Sequence, residues 1–337
     1  MADATPAASL RIVARAWRGL HPTRRDAPAA LLERADWQEI SLALAGRQAR
    51  PGEALPARRR NPGEGRSVLR GRGLDYAQSR AYQPGDDMRA MHWSLLARTG
   101  RPYVREYEEE HAAPWHVLVD AHGSMLFGTR LRTKAAQAAR VALLAAGLQA
   151  QLSPRSRLSA SLWLQQGLQA HDFGCGAAAL PRMANWLMHQ QVEAPDTPVA
   201  PAGKSRQELQ AWARRLALHR PVPTRVVLCS DFSWLDHAAR GALWPLAAQS
   251  LLLALHIVDP VELELPELPG ARFVDAAGAS EGWLEPGAGS REAFRRASEQ
   301  RREQLRENLR GLRARVAQLA AAQAAEPSRA QLLELLR

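Results

Sequence analysis

The chain is poor in cysteine, in lysine and in long apolar runs. Its 337 residues hold two cysteines, Cys175 and Cys229. That is too few for a disulfide scaffold, and reduced thiols in core positions are the expectation. Lys134 and Lys204 are the only lysines in a combined Lys and Arg count of 45, so the basic character rests on arginine. A membrane-spanning helix needs roughly 18 or more consecutive apolar residues. The two longest candidate stretches, 135–152 and 242–258, are interrupted by Gln137, Arg140 and Gln149 and by Pro245, Gln249, Ser250 and His256. No transmembrane segment is expected. No basic region leads into an apolar one at the N-terminus, so no secretory signal is read. The cytoplasm is the expected compartment, at most peripheral to a membrane complex.

What is present suits a folded protein: hydrophobic residues make up 46% of the chain, and the length suffices for one large domain or two smaller ones. The net charge of +11 raises nucleic-acid binding as an alternative. Arginines concentrate at 58–72 and along 291–310. No aromatic residues interleave with the first cluster. The near absence of lysine fits a general bias toward Ala, Arg and Leu, and no nucleic-acid partner is expected.

The pattern along the chain divides it into four. Residues 1–64 read as an N-terminal helical segment followed by a Pro/Gly/Arg loop. Residues 65–112 are β-rich and contain the turn Pro84-Gly85-Asp86-Asp87, in which Pro sets φ and Gly accepts positive φ. Residues 113–325 alternate strands and helices. Residues 326–337 form a tail helix. Within the third part, WHVLVD (115–120), LSASLWLQ (158–165), TRVVLCSD (224–231) and LLLALHIVD (251–259) read as strands, and ARFVDAAG as an edge strand. Helices are expected at 134–152, 181–189, 207–219 and 237–248. A single long helix over 291–325 is expected to pack Leu305, Leu309, Leu312, Val316 and Leu319 on the sheet. Such alternation predicts an α/β fold with a doubly wound, mostly parallel sheet, preceded by a small helical and β-rich segment. Ligands of such sheets bind at the carboxyl ends of the strands, and three strands end in aspartate: Asp120, Asp231 and Asp259.

After Asp120 the loop reads Ala121-His122-Gly123-Ser124. In an extended loop positions 120, 122 and 124 point the same way, and a carboxylate with hydroxyls suits a hard cation such as Mg²⁺. This loop resembles the metal-ion-dependent adhesion site of the von Willebrand factor A fold, Asp-x-Ser-x-Ser, completed by a later Thr and a further Asp. The resemblance implies a metal set of Asp120, Ser124 and Asp231. Thr197 or Ser205 would stand for the Thr. His122 departs from the motif, because imidazole prefers softer metals than Mg²⁺, so a metal-free docking loop is the expected form.

Upstream, residues 80–99 carry the spaced motif R-x-Y-x-P-G-D-D-x-R-x-x-x-W-x-x-x-A-R-T, comprising Tyr82, Pro84, Gly85, Asp86, Asp87, Arg89, Trp93, Arg98 and Thr99. It resembles the signature of the DUF58 family, with His92 where the family usually has Asp. The resemblance covers about residues 65 to 325. It implies a von Willebrand A/Rossmann-like fold and partnership with a MoxR-type AAA+ ATPase, alongside a transglutaminase-like membrane protein, in assembly or maturation of other complexes. Read by itself, the signature segment predicts a structural staple, with a buried-type Trp93 and an ion-pair network of Asp86, Asp87, Arg89 and Arg98. An interaction module without catalysis is the leading expectation. The alternative enzyme is a hydrolase using Ser124 with His122, although the loop lacks a G-x-S-x-G elbow.

Overall fold

The computed structural model describes residues 10–12, 29–46, 75–108, 114–129, 131–192, 202–219, 221–264, 272–275, 281–283 and 288–336. Contacts divide the chain into two compact units: residues 1–55 with 113–337, and residues 56–112.

The larger unit is built on six strands: β1 (Trp115–Asp120), β2 (Leu158–Leu164), β3 (Gly167–Gly174), β4 (Arg225–Ser230), β5 (Leu251–Val258) and β6 (Arg315–Ala320). Their order across the sheet is β6-β5-β4-β1-β2-β3. All neighbours are parallel except the β2–β3 hairpin at one edge. The architecture is therefore α/β with a mostly parallel, doubly wound sheet, as expected. The central strands are apolar throughout because both faces are covered. Val117 and Val119 of β1, Val227 and Cys229 of β4, and Leu253 and Leu255 of β5 join one core. The intervening Leu118, Val226, Leu228 and Ala254 join the other.

Helices α1 (Arg34–Ala45), α2 (Lys134–Leu152), α3 (Ala179–Met188) and α8 (Ala325–Leu336) supply the first core. Helices α4 (Ala202–Leu218), α5 (His237–Gln249) and α7 (Ala288–Gly311) supply the second. A short helix, α6 (Pro260–Leu263), follows β5. Helix α2 is apolar nearly all round, which suits a helix enclosed between the sheet and other helices. Thr133 caps it by accepting from Ala136 N. Both α1 and the tail helix α8 pack on α2 and so belong to the α/β unit.

Several expectations require correction. Residues 1–46 are not helical throughout: α1 starts at Arg34, Leu10–Ile12 is a strand, and Ala29–Ala30 pairs with Gln191–Val192. The long helix over 291–325 does not exist. Helix α7 ends at Gly311, Arg313 takes a positive φ of 55°, and the chain turns into β6 beside β5. Leu319 is thus a strand residue, and pairing with β5 overrides the helix preference of a run rich in Ala, Gln and Leu. Strand β3 was not expected. The Arg272–Asp275 strand joins a separate three-stranded sheet with Leu10–Ile12 and Glu281–Trp283 rather than edging the main one.

The smaller unit is a hairpin of Asp75–Ala81 and Tyr103–Glu108 that carries the signature between its strands. Tyr82 N donates to Pro102 O at the hairpin's inner end. The Pro84-Gly85 turn places Gly85 at φ 105°, a conformation that favours glycine. Arg80 grips Asp86 with two hydrogen bonds, 2.6 and 2.7 Å, and Gln83 N adds a third at 2.8 Å. These partners hold the Asp86 carboxyl down at about 2, the Arg80 bonds contributing most. The expected network does not form: Asp86 pairs with Arg80, which was not part of it, and among the described residues Asp87, Arg89 and Arg98 make no ion pair. Instead the Asp87 carboxylate accepts from Arg89 N and caps a 3₁₀ turn. His92 Nδ1 caps the helix Trp93–Thr99 by accepting from Leu95 N, so imidazole takes over there a role that a carboxylate can also perform. Thr99 Oγ1 donates back to Leu95 O. Trp93 is not buried; it is 57% exposed.

Candidate functional site

The sheet brings the ends of β1, β4 and β5 side by side, so Asp120, Asp231 and Asp259 lie along one rim. Each carboxylate is matched by a different set of partners.

Asp120 is 1% exposed. Its Oδ1 accepts from His122 N at 3.2 Å and pairs with His122 Nδ1 at 2.6 Å. Its Oδ2 accepts from Ser230 Oγ at 2.6 Å and Trp234 Nε1 at 3.1 Å. The His122 ring stacks on Trp163 with centroids 4.0 Å apart. Burial alone would lower the His122 pKa, but the charge and hydrogen bond of Asp120 outweigh it and hold the imidazole above its ordinary value.

Ser124 Oγ donates to Asp231 Oδ2 at 2.6 Å and meets Ser233 Oγ at 3.0 Å. The same Asp231 oxygen accepts from Lys134 Nζ at 2.7 Å, and Lys134 Nζ also reaches Glu262 Oε1 at 2.5 Å. The Lys134 side chain is 0% exposed. Burial would depress its pKa, yet the Asp231 and Glu262 carboxylates hold the ammonium above the usual lysine value. Burial would likewise raise the Asp231 pKa, but Lys134 and Ser124 hold the carboxyl well below the usual range. Glu262 is pushed up by burial and by Asp231, with Lys134 opposing.

Asp259 anchors the third position. It accepts from Thr129 N at 2.8 Å and from the Thr129 hydroxyl, and it forms a reciprocal cap of α6 with Glu262. The loop after β1 is thereby tied to β5 through Thr129 and to β4 through Ser124.

The structure thus brings Asp120, His122, Ser124 and Asp231 to one rim. It pairs Ser124 with Asp231 and His122 with Asp120, not with each other. The Ser205 side chain lies outside the described residues, although its backbone belongs to α4; Thr197 lies outside them altogether. Sequence reasoning passed over Lys134, Glu262, Thr129, Ser230 and Trp234. One signal was available for Lys134: a rare lysine opening a largely apolar helix has to find buried counter-charges.

A hard divalent cation needs about six oxygen ligands with free lone pairs. Here both Asp120 oxygens are taken by donors, the Ser124 hydroxyl hydrogen points to Asp231, and a protein ammonium stands against Asp231. Among the described residues no group of three or more His, Cys, Asp or Glu side chains could hold a metal ion. The residues as arranged do not fit the Mg²⁺ that the von Willebrand A resemblance implies.

Residues 78–304 match the family described as "Protein of unknown function DUF58", and the chain belongs to that family. It is 30% identical over 261 residues to the proteins called "Uncharacterized protein Rv1480" of Mycobacterium tuberculosis and "Uncharacterized protein Mb1516" of Mycobacterium bovis, an alignment covering 74% of this chain and 75% of each relative. Among solved structures, the conserved hypothetical protein BatB from Bacteroides thetaiotaomicron aligns at a TM-score of 0.37 and 11% identity, over 66% of this chain and 98% of that one. An aerotolerance-related membrane protein from Bacteroides fragilis aligns at 0.39, with the same identity and coverage. Among the described residues of this chain, no helix is long and apolar enough to cross a membrane.

Proposed function

We propose that this DUF58 chain is a von Willebrand A-like protein-interaction module without catalytic activity. It works with a MoxR-type AAA+ ATPase in assembly or maturation of other complexes, and it docks without a bridging metal through the rim around the loop Asp120–Ser124, whose own side chains are largely buried and hold the neighbouring exposed residues in place. The observation that carries this reading is the internal closure of the rim by Lys134. A carboxylate pair that would otherwise recruit a cation already holds one, and the Ser124 hydroxyl is committed to Asp231 and not to a base. What such a rim offers is a rigid surface. Leu131, 72% exposed in the loop leading to α2, and the exposed Ser233 provide contact points beside the buried polar cluster. A transglutaminase-like membrane protein is the further partner in this scheme.

The test is capture of the organism's own MoxR-type ATPase by immobilised full-length protein in ATP and Mg²⁺. Wild type retains the ATPase, while Leu131→Glu and Ser233→Trp each reduce capture at least tenfold with unchanged thermal midpoints. Absence of capture by the wild type overturns the reading.

A further inference from the structure

A cavity of about 220 Å³ opens between the turn after β4, the end of β5, helix α6 and helix α7. Three aromatic rings line it, Phe232, His256 and Phe294, with Val261 and Leu305 beside them. An apolar cavity of about 150 Å³ accommodates a benzene, and drug-sized ligands take about 300–1,000 Å³. The size therefore suits a single six-membered ring with a small substituent. The Phe232 ring stands edge-on to His256, with centroids 6.2 Å apart and planes at 62°. Its backbone holds a φ of 56°, which an aromatic residue keeps only where surrounding contacts enforce it. Here Phe232 N donates to Ser230 Oγ at 2.9 Å and fixes the wall.

His256 is a polar group that the protein leaves open here. It is 9% exposed. Among the described residues nothing hydrogen-bonds either ring nitrogen, and neither nitrogen is sealed off. The unpartnered side-chain atoms without accessible surface lie on other residues, Arg302 Nε among them. The imidazole nitrogens therefore face the cavity that the ring lines. Other polar groups of the wall are committed. Asp231 and Glu262 hold Lys134, Ser298 Oγ donates to Glu262 O at 2.6 Å, and Asn308 Nδ2 donates to Leu235 O at 3.2 Å. Burial keeps His256 neutral, its pKa lowered to about 4. A neutral imidazole has one N–H donor and one acceptor nitrogen, and a hydroxyl can meet either.

We infer that this cavity binds a phenol, with its ring between Phe232, Phe294 and Leu305 and its hydroxyl on His256. A plain hydrocarbon ring would leave the enclosed imidazole unsatisfied. An aliphatic alcohol would forgo the edge-to-face contacts that the three rings offer. A free small molecule and the side chain of a tyrosine present the same phenol. The site goes beyond rim docking and does not depend on it.

The probes are p-cresol and toluene, which are the side chains of tyrosine and phenylalanine, together with N-acetyl-L-tyrosinamide. Each is titrated into the full-length protein and followed by calorimetry and ligand-observed NMR. p-Cresol binds saturably and about fivefold or more tightly than toluene, the scale of one net hydrogen bond. His256→Leu, which keeps the bulk of the side chain, removes that difference and leaves toluene binding unchanged. His256→Gln, which keeps a donor and an acceptor, retains part of it. Leu305→Trp fills the cavity and abolishes binding of both. Tighter binding of N-acetyl-L-tyrosinamide than of p-cresol assigns the phenol to a tyrosine, and the reverse order assigns it to a free compound. Equal binding of p-cresol and toluene to wild type, no saturable binding of either, or a preference that survives His256→Leu overturns the assignment. Because the probes involve no ATPase, failure here leaves rim docking untouched, and failure of ATPase capture leaves the pocket untouched.

Discussion

The Lys134 ammonium lies 2.7 Å from the Asp231 carboxylate, across 97 residues of sequence and from the first turn of a helix to the end of a strand. With Glu262 it forms a buried triad joining β4, α2 and α6 at the rim. That triad sets a covalently attached cation between the two carboxylates at the rim.

Lys134→Met leaves two buried carboxylates without their cation. Breaking a buried pair in this way costs about 3–5 kcal/mol, and the urea unfolding midpoint falls accordingly. Adding Glu262→Gln to the same variant recovers part of the loss, because one of the two orphaned charges is gone. A Lys134→Met protein as stable as wild type would show that the triad contributes nothing.

Millimolar Mg²⁺ or Mn²⁺ leaves the thermal midpoint of the wild type unchanged, and so does a chelator. A ligand that binds only the folded state raises the midpoint with its concentration, so a rise that tracks metal concentration would refute the lack of fit at Asp120, Ser124 and Asp231.

His116 gives stability a pH dependence. Its two ring nitrogens lie 2.8 and 3.0 Å from Ser159 and Ser161. Burial, with a smaller contribution from His219, lowers its pKa from 6.5 to about 3. The folded state therefore binds fewer protons here than the unfolded chain between about pH 6.5 and 3. The contribution is fully present above pH 6.5 and is lost as pH falls through that window, amounting to about 2–3 kcal/mol near pH 4.5. His116→Gln removes this part of the acid sensitivity. Comparing urea midpoints near pH 7 and pH 4.5 checks it: an equal fall in both proteins disproves the assignment.

Trp93→Ala changes thermal stability little, because surface substitutions stay within about 0.5 kcal/mol. A buried tryptophan would cost about 3–5 kcal/mol on truncation. The melting curve of the variant distinguishes the two, and a large drop would mean that the signature tryptophan is a core residue after all.

Much of the α/β framework was legible in the residues. The runs WHVLVD, RVVLCS and LLLALHIV are short, apolar on both faces and closed by aspartate, which marks central parallel strands and the rim at their carboxyl ends. The apolar helix 134–152 was equally plain. Strand β6 was hidden because Arg315–Ala320 consists largely of good helix formers, and only the open edge of β5 makes it a strand. The signature segment was legible as a motif but not as a structure. Nothing in its spacing says that Asp86 pairs with Arg80, that Asp87 caps a turn, or that Trp93 faces solvent.

By itself the sequence determined the fold class, the family and the presence of three aspartates at one rim, because local periodicity and strand-ending residues follow from the order of side chains. Tertiary structure alone decided what those aspartates hold. Thr129 and Lys134, Trp234, and Glu262 come from three separate stretches of the chain. Whether a carboxylate keeps its lone pairs for a metal or yields them to protein donors depends on ångström-scale approach between distant segments, which only the packed core sets.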